Sequence, residues 1–138
     1  MTTNTKGDNN RMKADDLQDK FRQQGFLARR LFAVFTTPTN GLAPVLQNLE
    51  AHLRYQVELE HKGVMFAAGP LLTDDGEYGE GEGMFVYRVA SLAEARSIAQ
   101  ADPMHSSGAR SFRIRPWILN EGKITISADF STGKFEVV

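Results

Sequence analysis

His52 and Asp102 are the two side chains in this sequence whose types could together transfer a proton. A histidine changes charge near neutral pH, and a carboxylate bonded to one ring nitrogen makes the other more basic. The residues are 50 positions apart, so only the fold can join them. Each also has a structural interpretation. His52 could fill a helix face and bond a backbone carbonyl, and Asp102 could end a helix because Pro103 follows. From the residues alone, both interpretations stay open.

Three further residues are candidates for contacting a substrate. Gln56 lies one helical turn after the histidine, and His105 comes shortly after the aspartate, so both are expected to line the same pocket. Arg115 projects from the same face of a strand as Arg113. There it could hold an anionic substrate or pair with a carboxylate.

The sequence gives weak support to nucleophilic, metal and phosphate chemistry. Ser106 or Ser107 could complete a triad with the His–Asp pair, but no nucleophile-elbow pattern surrounds either serine. His52 and His61 lie nine residues apart on opposite sides of one helix, so they cannot share a metal ion. The glycine-rich loop at residues 71–83 is acidic and precedes a strand, unlike a phosphate cradle. We therefore expect no metal and no cofactor.

Composition limits the class of protein. The chain has 138 residues, 41% of them hydrophobic, with 16 basic side chains, 17 acidic side chains and no cysteine. A net charge of −1 does not supply the basic face that phosphates require, so we expect no nucleic acid partner. We also expect no membrane segment, because no apolar stretch is long enough and the polar start lacks an export signal. These features predict a small globular domain in the cytoplasm.

Hydrophobic periodicity predicts elements in the order strand, helix, strand, strand, helix, strand. The segments LFAVFT, VMFAAGP, MFVYRVA and SFRIRPWIL are typical of strands. One helix is predicted over residues 44–62. Ser91 and Glu94 form a capping box that begins a second helix, which continues to residue 100. This order predicts an α+β, ferredoxin-like βαββαβ domain over residues 31–120.

Additional segments are predicted on both sides of this domain. Residues 1–30 form a polar extension that is disordered over residues 1–13 and contains a short amphipathic helix over residues 14–24. Residues 121–138 form a C-terminal β-hairpin that turns near residues 131–133.

Two apolar patterns predict how the elements pack. The longer helix has a stripe of apolar side chains that is expected to face the core. The strands are apolar on both faces, but two helices cover only one face of a four-stranded sheet. A second copy packed sheet against sheet would cover the other face, which predicts a homodimer. The helical stripe consists of Leu46, Leu49, Leu53 and Val57.

Several short motifs occur in an order that resembles the YciI-like, or YCII-related, family. They are AHLRYQVELEHKGVMFAAGPL, SLAEARSIAQADPMHSSG and RPW. The resemblance runs from Leu31 to Trp117 and implies a dimeric α/β-barrel fold, with a His–Asp pair in a pocket beside the sheet. By position, that pair is His52 and Asp102. The chain differs from short family members in its N-terminal extension, its DPMHSSG segment and its terminal hairpin.

The expected function is cofactor-independent proton transfer on a small organic molecule, leading to isomerisation or elimination. His52 is expected to be the general base or acid, and Asp102 its orienting carboxylate. The residues expected to contact the substrate are Gln56, His105 and Arg115. A non-catalytic dimer that binds a small metabolite is the alternative, because a fold alone does not decide function.

Overall fold

The computed structural model describes residues 10–138; residues 1–9, part of the predicted disordered start, lie outside the described residues. The described chain divides into two compact units. The larger is Arg30–Ile118, and the smaller combines the residues before it with Leu119–Val138. In chain order the elements are α1 Ala14–Gln23, β1 Arg29–Pro38, α2 Ala43–His61, β2 Met65–Pro70, β3 Gly83–Tyr87, α3 Leu92–Ala101, α4 Pro103–Ser106, β4 Arg110–Leu119, β5 Ile126–Ala128 and β6 Phe135–Val137.

The larger unit is built on one four-stranded sheet with the strand order β2-β3-β1-β4. Strand β3 pairs antiparallel with both β1 and β2. Helix α2 connects β1 to β2, and α3 with α4 connects β3 to β4. This order is the ferredoxin-like α+β arrangement, so the predicted fold class is confirmed.

Local sequence explains where the helices begin and end. Ser91 Oγ accepts a hydrogen bond from Glu94 N, and Glu94 Oε2 accepts one from Ala90 N, both at 3.1 Å, so the predicted capping box begins α3. Gly63 follows the end of α2 with a φ of 74°, a left-handed conformation that favours glycine. The single turn of α4, which begins at Pro103, was not predicted.

One face of the sheet packs against the helices to form the main core. Alternate residues of β1 and β3 point toward α2 and α3, as the two-residue period of a strand requires. The buried members of this cluster are Phe32, Val34, Leu59, Met65, Phe85, Tyr87, Ala95 and Ala99. The opposite face carries an apolar groove of about 330 Å³, lined by Ala33, Phe35, Met84, Val86, Arg115, Pro116 and Trp117.

The predicted core-facing side of α2 is wrong. The four residues of the apolar stripe are between 36% and 58% exposed: Leu49, Val57, Leu53 and Leu46. The residues that α2 buries instead are Val45, His52, Gln56 and Leu59. The reason is that a polar side chain can face the interior when it finds a partner there, as His52 does. Periodicity of apolar residues alone does not identify such a face.

The smaller unit contains α1 and the predicted hairpin. Helix α1 lacks only the last residue of its predicted range. Strands β5 and β6 pair antiparallel, with Ile126 opposite Val137. Gly133 N donates to Asp129 O at 2.9 Å, so the turn lies where the sequence predicted it.

Two leucine substitutions test which face of α2 is buried. Leu59→Ala should lower the free energy of unfolding by about 2–5 kcal/mol, because it removes a core side chain that is 5% exposed. Leu53→Ala should lower it by roughly 0.5 kcal/mol or less, because that side chain is 52% exposed. Equilibrium urea unfolding measures both. A loss above about 2 kcal/mol for Leu53→Ala would contradict the exposed position of this stripe.

Candidate active site

Helix α2 and the junction of α3 with α4 bring His52 and Asp102 together. His52 Nδ1 donates to Asp102, at 2.8 Å from Oδ1 and 2.9 Å from Oδ2. The two side chains are 6% and 0% exposed. An ionised carboxylate only accepts hydrogen bonds, so the proton of a neutral His52 ring lies on Nδ1 and Nε2 keeps its lone pair.

Asp102 also has the structural role that the sequence left open. It ends α3 in an extended conformation, with φ −62° and ψ 129°. Its Oδ1 accepts a hydrogen bond from Met104 N at 2.9 Å, which caps the start of α4. Both roles are compatible because two carboxylate oxygens offer about four acceptor positions. The cap therefore holds in place the same carboxylate that orients His52.

A cavity of about 560 Å³ lies between α2 and β2 and is lined by His52 and Gln56. Its volume is within the range of small-molecule sites. Glu60 is the one charged carboxylate among the described lining residues. The apolar wall on α2 is formed by three members of the exposed stripe: Leu49, Leu53 and Val57. Residues that were predicted to build the core therefore line the cavity.

Gln56 brings an amide group to the free nitrogen of His52. Gln56 Nε2 lies 3.4 Å from His52 Nε2, close enough for a long hydrogen bond. Gln56 Oε1 is buried and has no hydrogen-bond partner within residues 10–138. A buried acceptor without a partner destabilises the protein.

His105 is held at both ring nitrogens, away from the cavity lining. Its Nδ1 donates to Ala99 O at 2.6 Å, and its Nε2 accepts from Thr36 Oγ1 at 2.8 Å. The ring centroid lies 4.5 Å from that of Phe112. His105 is not among the described residues that line the cavity with His52. Its predicted contact with a substrate stays a prediction, whereas its link to Thr36 was not predicted.

Arg115 lies on the opposite face of the sheet from His52. It lines the apolar groove together with Trp117. On the same strand face, the guanidinium of Arg113 lies 5.7 Å from the ring centroid of Phe35. The structure therefore does not bring Arg115 to the cavity, and its predicted contact with an anionic molecule stays a prediction.

Two buried polar residues close to Asp102 were not predicted. Arg110 is 8% exposed; burial lowers the pKa of its guanidinium, and Asp102 partly offsets this. Burial raises the pKa of the Tyr87 hydroxyl, and Asp102 raises it further. Arg110 Nε and Tyr87 Oη have no hydrogen-bond partner in the described part of the chain. Alternation along β3 marks Tyr87 as core-facing, but no sequence signal separates a buried arginine at a strand start from a solvated one.

Residues 10–138 contain neither a cluster of metal-ligating side chains nor a helix able to cross a membrane. Within this range, no three side chains of the metal-binding types lie together as ligands. The same part of the chain contains no helix with both the length and the apolar character needed to cross a bilayer. His61, the other histidine considered as a metal ligand, is exposed at the end of α2.

The fold and the buried pair define a ferredoxin-like α+β protein with a His–Asp pair beside a cavity. The chain belongs to the family of the YCII-related domain, whose model matches residues 31–118. Among solved structures it is similar to 5-chloro-2-hydroxyhydroquinone dehydrochlorinase from Burkholderia phenoliruptrix AC1100, in complex with 2,5-dihydroxybenzoquinone. The TM-score is 0.52 at 24% identity, covering 63% of this chain and 92% of that chain, which supports a shared fold. No curated protein sequence matches the chain.

The environment of His105 makes stability depend on pH. Burial lowers the pKa of its imidazole below the ordinary value of 6.5, against the opposing effects of the Ala99 carbonyl and Asp102. The unfolded chain therefore takes up this proton at a higher pH than the folded chain does. The free energy of unfolding should rise with pH from the folded pKa up to about 6.5, and fall as pH is lowered through that window.

The variant His105→Gln tests this titration. It should lose the part of the pH dependence that His105 contributes, as measured by urea unfolding at about pH 5 and about pH 7.5. His61→Gln is the control, because it makes the same substitution at an exposed histidine. An identical pH dependence in native protein and His105→Gln would refute the assigned titration.

Proposed function

We propose that this protein is a cofactor-independent enzyme that transfers a proton on a small organic molecule, with His52 and Asp102 as its catalytic pair. The main support is the buried contact of His52 Nδ1 with both oxygens of Asp102. Support also comes from the cavity that His52 lines. A histidine so oriented carries no proton on its second nitrogen, which can act as general base once the long contact with Gln56 Nε2 is released, and as general acid after it takes up the proton.

In the proposed reaction, His52 Nε2 takes a proton from a carbon next to a carbonyl group. The electron pair of the broken C–H bond moves into an enolate, and Asp102 stabilises the imidazolium that forms. Return of the proton to a different carbon gives isomerisation. Departure of a leaving group with its bonding electrons gives elimination, and His52 then releases the proton to solvent.

A second candidate function is non-catalytic binding of a small metabolite. The observation that favours it is the low exposure of the histidine, since only 6% of the His52 side chain is accessible. A base that is covered in this way needs a side chain to move before a substrate reaches it. In this second function, the His–Asp pair joins α2 to α4 and the cavity holds its ligand unchanged.

We also propose that the protein forms a homodimer through the open face of the sheet. The apolar groove on that face is lined by Phe35, Met84 and Trp117 among others. Its residues come from β1, β3 and β4, which are neighbours in the sheet. Packing two such faces together would remove this apolar surface from water.

Deuterium exchange tests the catalytic pair without a known substrate. A panel of small carbonyl compounds in D₂O should incorporate deuterium next to the carbonyl group in the presence of the native protein, as followed by proton NMR. His52→Ala should slow this exchange by about 10²- to 10⁴-fold, because the base is lost. Asp102→Asn should also slow it, while an asparagine can still cap α4.

His61→Ala is the matched control for the exchange experiment, since His61 is exposed at the end of the same helix. It should exchange as fast as the native protein. Equal rates of deuterium exchange in the native protein and His52→Ala would contradict the catalytic proposal, provided that circular dichroism shows both proteins to be folded. Tight binding of a panel member without exchange would support the second function instead.

Light scattering tests the dimer. Met84→Lys places a charge in the apolar groove and should convert a dimer to a monomer, because burying an unpaired charge is unfavourable. Leu92→Lys is the control: Leu92 is similarly exposed, 40% against 37%, but lies on α3. A native monomer, or a Met84→Lys variant that remains a dimer, would contradict the proposed interface.

A further inference from the structure

We infer, on the basis of the proposed function, that Gln56 selects the substrate. The cavity takes an uncharged small molecule, largely apolar, whose hydroxyl group donates a hydrogen bond to Gln56 Oε1. Three observations support this substrate class: the contact of Gln56 Nε2 with His52, the unpartnered oxygen of Gln56, and the charge of the cavity lining.

The amide orientation follows from the His–Asp pair. With its Nδ1 proton donated to Asp102, a neutral His52 presents only a lone pair at Nε2. That lone pair attracts the amide hydrogens of Gln56 and repels its oxygen, which explains why Gln56 Nε2 is the atom 3.4 Å away. Asp102 therefore acts through His52 on the amide of Gln56. Because the amide nitrogen contacts His52, the atom of Gln56 that remains without a partner is the acceptor Oε1.

The remaining oxygen is suited to a donor from the cavity. Gln56 is only 8% exposed, and its Oε1 has no hydrogen-bond partner within the described residues. The same side chain lines the cavity. Oε1 itself is covered, but the terminal torsion of a glutamine is broad, so rotation of the amide can bring Oε1 to an incoming hydroxyl group. A ligand without a donor leaves this buried acceptor unpaired and binds less tightly.

The lining disfavours an anionic ligand. His52, Gln56 and Glu60 are the polar side chains among the described lining residues, and Glu60 is a carboxylate. No lysine or arginine is present there to pair with a carboxylate or phosphate. The remaining walls come from the apolar stripe of α2 and from β2. An uncharged body with an apolar surface and one hydroxyl group fits this lining.

Three single-ring probes test the substrate class in binding experiments. Resorcinol has hydroxyl donors, 1,3-dimethoxybenzene has the same skeleton with acceptors only, and 3,5-dihydroxybenzoate adds a negative charge to resorcinol. Dissociation constants are measured by NMR titration of the native protein near neutral pH. Resorcinol should bind at least about tenfold more tightly than either of the other two probes.

Gln56→Met removes the acceptor while keeping a side chain of similar length. In this variant the preference for resorcinol over its dimethyl ether should fall to about twofold or less. Gln47→Met is the matched control, because Gln47 is an exposed glutamine on the same helix and is not among the lining residues. It should keep the native preference. Should Gln56→Met not fold, Gln56→Leu serves the same purpose.

Several outcomes would overturn the inference. They are equal binding of resorcinol and its dimethyl ether to the native protein, tighter binding of the benzoate, or an unchanged preference in Gln56→Met. None of these measurements involves turnover. If deuterium exchange persists in His52→Ala, the proposed catalytic function is wrong, but the inference that Gln56 selects the ligand is unaffected. If deuterium exchange depends on His52 but the native protein shows no preference for resorcinol, only the inference about Gln56 is wrong.

Discussion

Burial of the Asp102 carboxylate constrains much of the larger unit. A carboxylate without solvent exposure is stable only when hydrogen bonds and positive charge replace the lost water. His52 Nδ1 and the backbone N–H of Met104 supply those hydrogen bonds. The charge of Arg110 acts on the same carboxylate. Because His52 must reach Asp102, this requirement also determines which face of α2 turns inward.

Much of the fold could be predicted because its signals are local. The capping box at Ser91 and the turn at Gly133 each act through neighbouring atoms, and each lies where the sequence predicted it. Gly63 ends α2 in the same local way, close to the predicted end at residue 62. Apolar periodicity alone did not identify the inward face of α2, because that face depends on the contact of His52 with a carboxylate fifty residues away. Hydrophobic periodicity selects the most apolar stripe of a helix, whereas tertiary structure selects the stripe whose polar groups find partners.

The candidate site was predictable in part, for different reasons at each residue. His52 and Asp102 could be paired because two helices on one sheet face can bring such residues together and because family resemblance points to the same positions. His105 is close to Asp102 in sequence, but the turn of α4 directs its ring to Thr36 on β1. The buried position of Arg110 depends on packing around the start of β4, which leaves no periodic signal in the sequence.

The error in the predicted face of α2 and the position of the cavity have the same physical origin. Once His52 and Gln56 face inward, the leucines and valine of the stripe cannot also pack in the core, because a helix surface has only one side toward the sheet. Three of these apolar residues then line the space between α2 and β2. Because two polar residues occupy part of the inner face of α2, the more apolar stripe of the helix is left to form a cavity wall. In this helix, the same rotation that buries the proton-transfer group also provides apolar surface for a ligand.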